Sequence, residues 1–259
     1  MFRYYKEAKL CYAYLSDVSS STVEAALDLE NSEFEQSAWF TRRWTLQELI
    51  APKDLRFYNK DWTYLGSKDR LKNAICSITK IPMSILLGRD VDAEPVSRRM
   101  PWVASRQTSV QKTLHTAFSG FLTLQEAILK LSVDNSIFLW KCTETEAIHT
   151  PLWGLLAKSP AYFSRSPDVE GPGTSTMATN TAATLTGRGV NVELLMALVP
   201  NDPSESLYAA IIGIDSSDRS YGLLLKKISY LGGEFIRVGV DILLHVDGNL
   251  GTKQSRLPE

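Results

Sequence analysis

Ser37–Lys68 reads SAWFTRRWTLQELIAPKDLRFYNKDWTYLGSK, and the reading of this stretch decides the rest of the chain. Three of the six tryptophans, Trp39, Trp44 and Trp62, fall inside it, with Arg42, Arg43 and Glu48 among them. An unpaired buried charge is very costly, so charges beside an apolar face need partners or a ligand. Residues 38–50 read as a helix stopped by Pro52, because the residue before a proline is pushed out of the helical region. DLRFYN at 54–59 reads as a strand.

Glu48 is the first candidate for chemistry. Thr45-Leu46-Gln47-Glu48 fits a capping box with Thr45 as N-cap. If the helix instead begins near Ser37, Glu48 falls in its last turn, where a carboxylate opposes the helix dipole at about 0.3–1 kcal/mol. Trp44 and Glu48 are four positions apart and share a face. Glu48 is then either an anchor, paired to an arginine or to backbone N–H groups, or a catalytic carboxylate. Arg42 and Arg43 suit bidentate contact with phosphates or carboxylates; the plainer reading is one solvated arginine and one ion pair. Trp39, Trp44 and Trp62 read as core or core-edge anchors, Trp44 as largely buried. A stacking surface for a base or nicotinamide ring is the other reading. Gln47 joins Arg42, Arg43 and Trp44 as a ligand-binding or structural residue.

Working outward, residues 2–9 read as the end of an amphipathic helix, and CYAYLSD at 11–17 alternates as a buried strand does. Residues 18–36 are polar and acidic and read as a surface loop with one helical turn. SKDRLKNAICSITKI at 67–81 carries Leu71, Ala74, Ile75 and Ile78 at helical spacing, with Ser67 as N-cap. PVSRRMPWVASR at 95–106 is a short helix, and 113–131 a longer one interrupted by Gly120. A polar linker or loop spans 141–188, richest in Ser, Thr, Gly, Pro and Ala over 166–188. From 189 to 259 the texture is β-like: VNVELLMALV, SLYAAIIGID, YGLLLKKISY and EFIRVGVDILL are separated by turn signals and predict a small, mostly antiparallel sheet.

The pattern W-F-T-R-x-W-T-L-Q-E-L-I-A-P, then F-Y, then W-x-x-x-G-x-K closely resembles a signature block of the fungal heterokaryon-incompatibility (HET) domain. KEAKLCYAYLSDV at 6–18, MPWVASRQT at 100–108, LQEAILK at 124–130 and SIFLW at 136–140 resemble further blocks in the family's order. The last two stand where its closing helix and strand would. GLLAKSP at 154–160 is similar to the segment that often follows the domain. The resemblance spans roughly residues 1–165. It implies a partial HET-like domain over 1–140, in an incomplete flavodoxin/TIR-like α/β layer. It implies a role in non-self recognition and programmed cell death, exercised through protein partners or self-association. By analogy with TIR relatives that cleave NAD, Glu48 would be the catalytic carboxylate, with Trp44 near the ring and NAD as substrate rather than cofactor.

The departures set a second expectation. The family's opening L-S-Y-x-W-G and W-I-D-x-x-C-I motifs are missing, SVQKTLHTAFSG stands where a longer segment is usual, and Arg43 replaces a glycine. The chain thus reads as N-terminally truncated and internally rearranged, with an incomplete pocket and no cleavage of its own. A non-functional fragment is the third reading, beside the effector module and the NAD-cleaving enzyme.

Composition bounds the alternatives. At 259 residues, 44% hydrophobic and 22% charged, this is ordinary globular material. A net charge of -1 gives no attraction to nucleic acid or an anionic membrane. Cys11, Cys76 and Cys142 are scattered without metal or disulfide spacing, which fits a reducing cytosol and predicts a cytoplasmic protein. No apolar run reaches the ~18–20 residues of a membrane span. No dinucleotide fingerprint or P-loop occurs; GPG at 171–173 and GRG at 187–189 are turn glycines.

Overall fold

A computed structural model describes residues 2–19, 32–104, 106, 114–149, 153–170, 182–187, 189–228 and 232–246. The sequence reading of 18–36 as a loop falls largely outside these residues, and so do 171–181 of the linker read over 141–188. The described part of that linker instead carries a helix, Glu144–His149, and a 3-10 turn, Pro160–Arg165, with Trp153, Ala157 and Phe163 buried in the core. The fold is mixed α/β in two compact units, one made of 1–92 with 105–111, the other of 93–104 with 112–259.

The first unit is built on a three-stranded sheet in the order β1 (Cys11–Tyr14), β2 (Leu55–Tyr58), β3 (Tyr64–Ser67). β1 and β2 run parallel; β2 and β3 form an antiparallel hairpin. Alternation sends Ala13, Leu55, Phe57 and Leu65 into the core with Phe34, Trp39, Phe40 and Leu49. Phe57 lies within 6.2 Å, centroid to centroid, of Phe34, Trp39 and Phe40. A helix Lys72–Thr79 follows β3. The Ser67 hydroxyl accepts from Arg70 N–H in the turn ahead of that helix rather than capping its first residue.

Helix 38–50 is not continuous. A 3-10 turn, Ala38–Thr41, ends at Arg42 in extended conformation, and a separate helix covers Thr45–Ile50. Thr45 causes the break: its buried hydroxyl lies 2.6 Å from the Trp39 carbonyl and 2.7 Å from that of Arg42. Side-chain oxygens that bond nearby carbonyls compete with the helix ladder.

The second unit carries a five-stranded antiparallel sheet. β6 (Leu195–Leu198), β7 (Leu207–Ile214) and β8 (Ser220–Lys227) form a meander. The far edge of β8 is shared by β9 (Phe235–Val238) and β10 (Leu244–Val246), which pair with its two ends. A small hairpin joins β4 (Thr184–Thr186) to β5 (Gly189–Asn191). Helix Leu114–Leu131 runs through Gly120 without interruption. Its Gln125 is fully buried and exchanges two hydrogen bonds with the Ala157 backbone, at 2.8 and 2.9 Å. Asp134 accepts from Val96 N–H at 2.7 Å and from Ser136 N–H at 2.9 Å, so one carboxylate caps two helical turns.

SIFLW is not a strand. Asn135–Phe138 is a 3-10 turn whose backbone is claimed by Asp134 on one side and by Arg237 on the other. Arg237, 1% exposed, donates to the carbonyls of Phe138 and Trp140 and lies 3.9 Å above the Trp140 ring. Burial lowers its pKa to about 9.

Candidate functional site

Glu48 lies half-buried in the first turn of Thr45–Ile50, so the expected opposition to a helix dipole does not arise. Its Oε1 accepts from the Tyr5 hydroxyl at 3.2 Å, which ties helix Phe2–Glu7 to Thr45–Ile50. The Tyr5 phenol is shifted upward, first by burial and then by the Glu48 charge, so it stays protonated as a donor. Neither arginine is bonded to Glu48 among the described residues. Arg42 is exposed. Arg43, also exposed, donates from Nε to the Arg106 carbonyl at 3.3 Å. Gln47 is half-buried and its carbonyl accepts from Ala51.

Trp44 is 60% exposed and Trp62 62%, against the expectation that both anchor the core; Trp39 is buried as expected. The helix break at Arg42 turns the face of Trp44 outward, which a continuous helix would have directed inward.

Two residues with no separate prediction complete the site. Lys68, the lysine of W-x-x-x-G-x-K, is 4% exposed. Its Nζ donates to the carbonyls of Leu49 at 3.2 Å and Pro52 at 2.5 Å, satisfying groups a helix end leaves without partners. Burial lowers its pKa to about 8. Arg106, from MPWVASRQT, is equally buried, and its Nη1 donates to the Arg42 carbonyl at 3.0 Å and to the Thr45 hydroxyl at 2.9 Å. Burial lowers its pKa to about 10. Both had a legible signal in the quoted motifs, a cation at a fixed offset from tryptophans. The partners, backbone carbonyls, have none.

Cys11 adjoins Glu48 and Lys68 electrostatically. Burial, then the Glu48 charge, pushes its thiol up despite an opposing pull from Lys68, so it is held as thiol. The arrangement is a carboxylate with one phenol donor, set on a helix locked by two buried cations. It can accept a further hydrogen bond or face a developing positive charge; it offers no thiolate nucleophile. Among the described residues no group of His, Cys, Asp or Glu is placed to hold a metal, and no helix is long and apolar enough to cross a membrane.

No family model matches the chain, and no solved structure does. The chain is 36% identical over 121 residues to the vegetative incompatibility protein HET-E-1 of Podospora anserina. The match covers 46% of this chain and 9% of that relative. The chain thus spans less than a tenth of the length of the vegetative incompatibility protein it is similar to.

Proposed function

We propose that the chain is a HET-type effector module acting in fungal non-self recognition and programmed cell death through protein partners or self-association. The observation that carries this reading is the 36% identity to a vegetative incompatibility protein. The parallel pairing of β1 with β2 beside short helices supports assigning the first unit to a TIR-like α/β layer. The test is expression in a filamentous fungus with viability scored. Loss of viability with the intact chain is expected, and unimpaired growth at confirmed expression refutes the reading.

A second reading is favoured by the Glu48 geometry: cleavage of NAD at its glycosidic bond. A half-exposed carboxylate with one phenol donor suits the oxocarbenium-like charge that develops as such a bond breaks. Glu48→Gln keeps shape and hydrogen bonding but not charge. Under this reading the equivalent change in a full-length relative abolishes nicotinamide release at an unchanged melting temperature, while this chain with its incomplete pocket releases none. If Glu48 is only an anchor, activity falls in proportion to stability.

A further inference from the structure

The solvent face of β1–β2–β3 carries five aromatic rings in continuous contact. Tyr12 meets Tyr58 edge-on at 5.5 Å, and Tyr14 stacks on Trp62 at 4.8 Å. Tyr58 in turn lies 5.9 Å from Trp62 and 5.6 Å from Tyr64. Tyr58 is half-buried at the centre and the other four are exposed. Strand alternation sets this pattern, because the core is filled from the opposite face by Ala13, Leu55, Phe57 and Leu65. Contiguous exposed apolar surface of this kind marks interaction sites.

The backbone makes a second, independent point. Trp62 has φ +59°, a left-handed conformation that is an outlier for a bulky residue. The β2–β3 loop is held there by the Asn59 side chain, whose Oδ1 accepts from Asp61 N–H at 3.0 Å and Thr63 N–H at 2.8 Å. Glycine or asparagine would occupy that position at lower cost, and a side chain 62% exposed recovers little by burial. Strain kept for an exposed aromatic is the pattern of a ligand clamp.

The chemistry of the face narrows the ligand. Its ring faces are electron-rich. The Tyr14 hydroxyl donates to the Lys60 carbonyl at 3.0 Å, but those of Tyr12, Tyr58 and Tyr64 and the Trp62 indole N–H have no internal partner among the described residues. Charges on and around the face are offset: Arg56, which shares the solvent face of β2 with Tyr58 and lies opposite Tyr12, pairs with Asp54 at 3.2 Å, and Lys60 adjoins Asp61. The cation on this face is already paired with a carboxylate, which leaves the face poorly matched to a phosphodiester backbone. It complements a polyproline II segment, whose proline C–H groups are weakly electropositive and whose carbonyls have no internal donors. We propose that this face docks a proline-rich segment of a partner protein in the polyproline II conformation, as aromatic-lined surfaces do elsewhere. The proposal is independent of any chemistry at Glu48.

The test is binding of labelled decaproline to the full chain by fluorescence anisotropy. Saturable binding is expected, weakened about tenfold or more in Trp62→Gly and in Tyr64→Ala, the effect of losing an interface anchor. Tyr4→Ala, an exposed aromatic on helix Phe2–Glu7, should bind as the intact chain does. Far-UV circular dichroism and melting checks that the two variants stay folded. Failure of the intact chain to bind overturns the proposal, as does equal binding by both variants. Tighter binding of a neutral hexasaccharide or of oligo(dT) at the same residues overturns it, and so does a dimer abolished by Trp62→Gly in a chain that ignores the peptide.

Discussion

Lys68 shows how one residue can be both structural and titratable. Unfolded, its amine titrates near the ordinary 10.5; folded, burial brings it to about 8. Below pH 8 both states carry the proton, and the folded state bears the full burial penalty. Between about 8 and 10.5 the unfolded chain binds more protons, so stability rises with pH across that window. The neutral amine still has two N–H groups for the carbonyls of Leu49 and Pro52. Wild-type stability relative to Lys68→Met is therefore expected to increase by on the order of 1–3 kcal/mol from pH 8 to 10.5, read from urea melts. A difference flat with pH refutes this. Glu48 has a nearer test. Tyr5→Phe removes the one described hydrogen bond to its carboxylate and should cost about 0.5–1.5 kcal/mol. A loss of the proposed cell-killing larger than that stability change accounts for would mark the pair as part of a site.

At the scale of elements, alternation made β1 and β2 legible in CYAYLSD and DLRFYN, since a half-buried strand must repeat every two residues. The break within 38–50 was not legible. It depends on the Thr45 hydroxyl finding the carbonyls of Trp39 and Arg42 and on Arg106 arriving from 61 positions away. The exposure of Trp44 follows from that break, so the same long-range contact hid both. SIFLW looked like a strand for a related reason: nothing local shows that Asp134 and Arg237 will take its backbone. Thr45→Val, which keeps the shape and removes the hydroxyl, should cost about 1–3 kcal/mol in thermal or urea melts, because it strips a buried donor–acceptor from Arg106. The glycine of W-x-x-x-G-x-K has a packing reason. A Cβ on Gly66 would lie 2.9 Å from Leu71 Cγ, and Leu71 is buried. Gly66→Ala should lose about 1–3 kcal/mol, the usual range for overpacking. An unchanged urea midpoint would show that Leu71 can move aside.

For the whole molecule, the second unit turns on Arg237, which joins β9 to the 3-10 turn Asn135–Phe138 and stacks on Trp140. Arginine suits this place because its planar fork reaches two carbonyls and presents a flat face to an indole. Arg237→Lys should therefore fail to rescue Arg237→Ala, with both losing about 2–4 kcal/mol by thermal circular dichroism. Full recovery by lysine would mean that charge alone matters. The two units also differ in how far apart their partners lie along the chain. β7 and β8 turn back on each other within a few residues, Ile214 opposite Ser220. β1 instead pairs Cys11 with Leu55, 44 positions on. Parallel pairing across that distance must close a long loop before it gains any contact, which slows folding. During synthesis at about 5–20 residues per second, β1 leaves the ribosome roughly two to nine seconds before its partner strand exists. For that interval Tyr12 and Tyr14 belong to a nascent chain whose edge is open to whatever it meets first, so chaperone demand in the cell should concentrate on the N-terminal sheet rather than on the larger C-terminal one.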